Sequence, residues 1–335
     1  MQRSPTFTCS IILTTILVVW CNIACTPIVK PRGSNIQAPT LREGEFTAAD
    51  GITLSLRSWL PKGKPSAVLL ALHGFNDHSN FFEAPGNYLK INGIASYAYD
   101  QRGFGRSPNR GSWAGVGAYV KDTADALRAL RHRYPETPIF LLGTSMGGAV
   151  AIVTIETYKT LPIDGIILSA PAVWARSTMP WYQRFALWLG ANTIPWFTLT
   201  GRGLGITPSD NTEMLNKLGR DPLVIKETRI GALYGLVNLM DAAFAIAPLF
   251  KKIPLLILYG EKDEIIPKRP TFKVIERLGA MSRTALYKGG YHMLLRDLAA
   301  EIVWRDIAHW VQDPTAPLPS GADTRNVRAL LGDNQ

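Results

Sequence analysis

The residues best placed to do chemistry are Gly143-Thr144-Ser145-Met146-Gly147-Gly148, a G-x-S-x-G pattern that follows the apolar run Ile139 to Leu142 and precedes a helical stretch from Ala149. A serine hydroxyl exposed on a turn between strand and helix needs neighbours with almost no side chain, and Gly143, Gly147 and Gly148 meet that need. Ser145 is therefore the candidate nucleophile, and it requires a base. Five histidines are available: His73, His78, His132, His292 and His309. His132 sits among arginines at a helix end, where a solvated cation is the natural reading. His309 lies in a terminal amphipathic helix, and His73 and His78 precede the serine in a loop that suits building a site. His292, in the late Gly289-Gly290-Tyr291-His292-Met293 loop, fits the order serine, acid, histidine that accompanies such a serine turn, and is the expected base.

The acid that orients the imidazole belongs between Ser145 and His292, on a loop leaving a late strand. Leu255 to Tyr259 is such a strand, and it runs into Gly260-Glu261-Lys262-Asp263-Glu264. Asp263 is favoured because it follows the turn at Gly260 and precedes Ile265-Ile266-Pro267; Glu261 and Glu264 stay open. Negative charge on a tetrahedral intermediate calls for two backbone donors. One is expected from Met146 and the other from Phe75, in the loop after Leu72. Gly103 and Gly105 lack a third glycine at dinucleotide-loop spacing.

Around these residues, strands are expected at Ile52 to Trp59, Ala67 to Leu72, Ala95 to Tyr99, Ile139 to Leu142, Ile163 to Leu168 and Leu255 to Tyr259. Helices are expected at Val116 to Arg133 and Ala149 to Tyr158. Continuous aliphatic strands alternating with helices predict an α/β fold with a mostly parallel, doubly wound sheet. From about Pro171 to Phe250 there is no convincing strand but a succession of aromatics, which predicts a helical cap inserted between two sheet strands. Trp181 and Trp188 are the candidates there for contact with an apolar substrate.

These motifs resemble those of the monoacylglycerol lipase and lysophospholipase group of the α/β-hydrolase superfamily, often labelled serine aminopeptidase-like. The likeness rests on His73-Gly74-Phe75-Asn76-Asp77-His78-Ser79, Tyr99-Asp100-Gln101-Arg102-Gly103-Phe104-Gly105, the Ser145 motif, Gly260-Glu261-Lys262-Asp263 and Tyr291-His292. It covers about Leu41 to Val311. It implies a helical cap, Ser145 as nucleophile, Asp263 as acid, His292 as base, and hydrolysis of single-chain glycerolipids with no cofactor. A serine aminopeptidase or other small-ester carboxylesterase is the first alternative; it would use cap carboxylates such as Asp210, Glu213, Asp221, Glu227 or Asp241 to hold a substrate amine. A non-catalytic α/β-hydrolase binding protein is the alternative of another class.

The chain has 335 residues, 47% of them hydrophobic and 19% charged, with 12 Phe, 11 Tyr and 9 Trp, which excludes a disordered or fibrous polymer. Its net charge of +10 suits an anionic partner. The basic residues are scattered, however, with Arg131-His132-Arg133 and Lys251-Lys252 the densest clusters, so nucleic acid is not expected. All three cysteines, Cys9, Cys21 and Cys25, precede residue 26, so neither a Cys-ligated metal nor a thiol nucleophile is expected in the body. Residues 1–25 read as an export signal, with the apolar run Ile11 to Trp20, and Asn22-Ile23-Ala24-Cys25 resembles a bacterial lipoprotein box with Asn22 as its departure. The expectation is export to the bacterial cell envelope with Cys25 lipidated and the enzyme held at a membrane surface, or else secretion. Residues 26–40 are expected as a tether, 41–312 as the hydrolase domain, and 313–335 as a loose tail with at most a short helix around Val327 to Leu331.

Overall fold

The computed structural model describes residues 27, 29–201, 203, 205–246, 253–278 and 282–325. The leader with Cys25 and the short helix expected near Val327 lie outside the described residues. Nine strands of the described chain form one sheet: β1 (Thr40–Arg42), β2 (Glu45–Thr47), β3 (Thr53–Trp59), β4 (Ala67–Leu72), β5 (Ile94–Tyr99), β6 (Ile139–Thr144), β7 (Gly165–Ser169), β10 (Leu255–Gly260) and β11 (Ser282–Tyr287). Their spatial order is β1-β2-β3-β5-β4-β6-β7-β10-β11. The first three run antiparallel, and the sheet is parallel from β5 to β11.

Burial explains why the central strands read as unbroken aliphatic runs. In β4, Val68, Leu70 and Leu72 enter the cluster on one face of the sheet, while Ala67, Leu69 and Ala71 enter the cluster on the other. Successive side chains point to opposite faces, so a strand covered on both sides must be apolar throughout. On the first face lie α2 (Val116–Arg133), α3 (Met146–Thr157), α6 (Ile230–Ile246) and α7 (Lys268–Arg277); on the second lie α1 (Glu83–Ile91) and α8 (Ala300–Gln312). The helix α3 is buried from Met146 to Ile155 because sheet, α2 and α6 enclose it. Strand β11 escaped the sequence reading because Ser282-Arg283-Thr284 is polar. It closes the sheet edge, where only its second half is buried.

The insertion falls between β7 and β10, as expected, and carries α4 (Trp181–Thr193), β8 (Thr198–Leu199), α5 (Thr212–Arg220), β9 (Thr228–Arg229) and α6. Two features differ from the expectation. A short antiparallel pair, two residues in each strand, joins Thr198 to Arg229 and Leu199 to Thr228 and is too short to show a period. The last helix, α6, packs on α3 and contributes Val237, Leu239 and Ala243 to the main core, so it belongs to the body as much as to the cap.

The two ends of the body also need correction. The segment expected as a tether is seated on the body from Val29: Val29 bridges Trp113, Ile36 donates to the Ala49 carbonyl, and Arg32 pairs with Asp122 and Asp125 on α2. The reason is electrostatic, because buried Asp122 already shares Arg102 with Asp50 and a second guanidinium offsets the remaining charge. The tail is packed through Arg325 as well. Leu318 and Ala322 are buried, Arg283 donates to the Thr315 and Ala316 carbonyls, and Arg325 pairs with Glu261.

Candidate active site

Strand registers bring the chemical groups to one edge. Leu72 of β4 lies opposite Gly143 of β6, Thr144 opposite Ser169 of β7, and Leu258 of β10 also opposite Ser169. The loops leaving these carboxyl ends therefore emerge together, where open α/β sheets build their sites.

Ser145 forms the junction between β6 and α3 with φ +49°, a strained value for a residue with a Cβ. The strain is held in place by packing. A Cβ at Gly143 would run into the Gly147 carbonyl, and one at Gly147 into the Leu72 carbonyl, so the sharp turn exists only with glycine at both positions. The Ser145 amide donates to the Ser169 carbonyl (3.0 Å), and the Ser145 carbonyl accepts from Gly148 and Ala172 (both 2.9 Å).

His292 donates from Nδ1 to Asp263 Oδ2 at 2.8 Å. The other carboxylate oxygen accepts the amides of Ile265 (2.8 Å) and Ile266 (3.0 Å), so the side chain of Asp263 is fully buried yet satisfied at both oxygens. The acid loop is tied to the histidine loop by the Lys262 amide on the Gly290 carbonyl (2.9 Å). With Nδ1 committed as donor, Nε2 of a neutral His292 is left as the proton acceptor. Glu261 and Glu264, the other carboxylates of that stretch, are directed elsewhere: Glu261 pairs with Arg325, and Glu264 accepts the Thr207 amide.

On the opposite rim, a Cβ at Gly74 would stand 3.4 Å from Ser145 Cβ, which places the Gly74-Phe75 backbone directly against the serine. Met146 opens α3, where the first amides lack intrahelical acceptors. The Gly74 loop is positioned by the second long motif. His73 is buried, its Nδ1 donating to the Gly74 carbonyl (2.8 Å) and its Nε2 accepting the Gln101 amide (2.9 Å), while Gln101 Nε2 donates to the His73 carbonyl (2.9 Å). Burial lowers the His73 pKa, in keeping with this neutral, structural ring. Asp100 accepts the amides of Ser79 and Arg106 (both 2.8 Å). His78 and Asp221 join the loop to the cap at 2.9 Å. Burial works against the Asp221 anion, but the Leu223 amide and His78 together hold its carboxyl below the ordinary range.

Ser145, His292 and Phe75 line one cavity of about 460 Å³. Its walls are mostly apolar and include Trp174, Met179 and Leu187 from the cap and Leu236 and Met240 from α6. Trp181 and Trp188 do not line it. They stand on the outer face of α4, and the helix turns Gln183 and Leu187 inward instead. Both faces of α4 are apolar, so the sequence did not distinguish them. The sequence reading also missed the ion pair Asp77–Arg296 at the cavity wall, whose members lie 219 positions apart.

A family model described as serine aminopeptidase, S33, matches residues 63–299, most of the chain. This chain belongs to that family. Among curated relatives, monoglyceride lipase of Mus musculus is 28% identical over 298 residues, covering 87% of this chain and 97% of the relative. Monoacylglycerol lipase of Mycolicibacterium smegmatis is 26% identical over 281 residues, covering 81% and 97%. Among solved structures, a soluble variant of monoglyceride lipase from Saccharomyces cerevisiae in complex with a substrate analog superimposes with TM-score 0.68 at 19% identity, covering 87% of this chain and 99% of the other; at that identity it speaks for the fold. The S33 family member described here therefore has the α/β-hydrolase fold, with a buried acid, a histidine and a strained serine at the carboxyl edge of its sheet.

Proposed function

We propose that this chain hydrolyses carboxylic esters of single-chain glycerolipids, monoacylglycerol or lysophospholipid, through an acyl-enzyme on Ser145. Ser145 Oγ attacks the ester carbonyl while His292 Nε2 takes its proton. The Phe75 and Met146 amides receive the developing oxyanion. His292 then protonates the leaving alcohol, and water repeats the sequence in reverse to release the fatty acid. Asp263 holds the imidazole tautomer and offsets the imidazolium.

The observation that carries the substrate class is the cavity at Ser145: apolar walls, with Asp77 as its lining carboxylate and that group already paired with Arg296. An aminopeptidase must hold a substrate ammonium, and the five cap carboxylates weighed for that role are absent from the cavity lining. Asp210 caps the Leu298 amide, Glu213 pairs with Lys217, Asp221 with His78, Asp241 with Arg176, and Glu227 accepts from Thr198. The monoglyceride lipase relatives support the same reading.

A panel of p-nitrophenyl esters, monoacylglycerols, lysophospholipids and aminoacyl amides tests it. Burial is worth ~0.8 kcal/mol per methylene, so kcat/KM is expected to rise up to about fourfold per added CH₂ until the cavity is full. Indifference to chain length, or aminoacyl amides outrunning every ester, would overturn the lipid reading.

Export and lipidation of Cys25 complete the proposal. The support is in the sequence: an apolar run, a small residue before cysteine, and cysteine nowhere after it. Several acyl chains anchor firmly where one gives marginal binding, and an anchored enzyme is near lipid substrates. Mass spectrometry of the mature N-terminus is expected to show a lipid-modified Cys25; an unmodified start beyond it, or intact Met1, would reject the anchor.

A further inference from the structure

Asp263 fixes how the His292 ring is turned, but it does not fix where the main chain carrying that ring stands. A catalytic group works only within about 0.5 Å of its productive place, so that main chain needs supports of its own. The amides on either side of His292 show what they are. The Tyr291 amide donates to Asp297 Oδ2 (2.8 Å), and the Met293 amide donates to the Pro208 carbonyl (3.0 Å). The Met293 carbonyl accepts from Arg296 (2.7 Å) and Asp297 (3.1 Å), and this turn brings the Asp297 side chain back to Tyr291.

Pro208 belongs to residues 207–211 of the cap, between β8 and α5, and its neighbours reach the same loop. Ser209 Oγ donates to Asp297 Oδ1 at 2.6 Å, Asn211 Nδ2 donates to the Arg296 carbonyl (3.0 Å), and Asp210 accepts the Leu298 amide (2.9 Å). At the start of the segment, the Thr207 amide donates to Glu264, next to the catalytic acid (2.8 Å). One short stretch of cap therefore bonds to both the acid loop and the base loop. The Ser209–Asp297 bond at its centre is shut from solvent, with Ser209 2% exposed and Asp297 6%. Its direction is set as well. Ser209 Oγ accepts the Asn211 amide (3.2 Å), so its own proton goes to Asp297, whose two oxygens then serve Ser209 and Tyr291. Neither Ser209 nor Asp297 lines the cavity, so neither is placed to touch substrate.

We infer that residues 207–211 of the cap are a buttress for the catalytic base, with Ser209 and Asp297 as positioning residues that act through His292. A cap serving only as a cover over the cavity would govern substrate binding. This one also governs proton transfer, because displacing it at this segment frees the Met293 amide and leaves Asp297 with a buried oxygen unpartnered. The inference rests on His292 as the base for Ser145 and is independent of which ester is cleaved.

Variants of the full chain, assayed on a soluble p-nitrophenyl ester, test it. Asp297→Ala frees the Tyr291 amide and is expected to lower kcat about 10²-fold, and Ser209→Ala about tenfold, with KM within about twofold of the parent. Asp297→Asn is expected to keep kcat within about threefold: its oxygen stays with the Tyr291 amide and its NH₂ donates to Ser209 Oγ, so the geometry survives without the charge. In a His292→Ala background, Ser209→Ala is expected to change the residual rate less than about twofold, since a residue acting through the base has nothing left to act on. Tyr97→Phe removes a hydrogen bond to Tyr134 (2.6 Å) between β5 and the end of α2, and is expected to leave kcat unchanged. Parental kcat in Ser209→Ala, a loss confined to KM, or an equal loss in the His292→Ala background would overturn the inference. So would an Asp297→Asn variant as slow as Asp297→Ala, which would make the charge of the carboxylate, and not its hydrogen bonds, the active feature. If Asp297→Ala does not fold, Ser209→Ala alone and in the His292→Ala background decides the matter. A His292→Ala variant as fast as the parent would instead strike the base assignment, and a parent that spares monoacylglycerol would strike only the lipid reading.

Discussion

Replacing Ser145 by alanine is expected to lower kcat on the best ester by about 10⁶, as much as removing Ser145 and His292 together. The two act as one unit: a base without a nucleophile has nothing to deprotonate, and a neutral hydroxyl without a base attacks poorly. The structure makes the expectation specific to this serine, because the elbow that holds it at φ +49° also carries the adjacent Met146 amide and faces the Gly74-Phe75 backbone. Alanine keeps the Cβ and the backbone, so folding should be preserved and the loss should appear in chemistry alone. A fluorophosphonate probe should label the parent and not the variant. Equal labelling of both would reject Ser145 as nucleophile.

Asp263→Asn is expected to cost about 10⁴ in kcat. Asp263 accepts two amides at Oδ1 and the His292 Nδ1 proton at Oδ2. In the variant, the Ile265 and Ile266 amides still demand an oxygen, so the amide NH₂ is turned toward His292. The ring then switches tautomer to present a lone pair at Nδ1 and a proton at Nε2, where it can no longer accept from serine. KM should change little beside kcat, since Asp263 lies behind the histidine and is buried away from the substrate. Near-full activity in the variant would transfer the orienting role to another carboxylate. Glu261 and Glu264 would then have to leave Arg325 and the Thr207 amide respectively.

What the sequence determined by itself was whatever depends on a local rule. Continuous aliphatic runs mark doubly covered strands, and β4, β5, β6, β7 and β10 lie where those runs lie. Glycines on both sides of Ser145 mark a turn that side chains would block, and the order of serine, acid and histidine loops follows from the sheet that displays them. Tertiary structure decided the rest, because it concerns groups distant in sequence or alternatives with the same composition. Arg296 meets Asp77 across 219 positions, and Arg32 finds Asp122 and Asp125 from a Pro- and Gly-containing segment that carries no hydrophobic period. Trp181 and Leu187 are equally apolar. Which of them faces the cavity depends on the rotation of α4 about its own axis, set by packing against α6. An apolar side chain is driven out of water with no preference for a particular partner, so composition alone cannot say whether it ends in a core, a substrate channel or a bilayer.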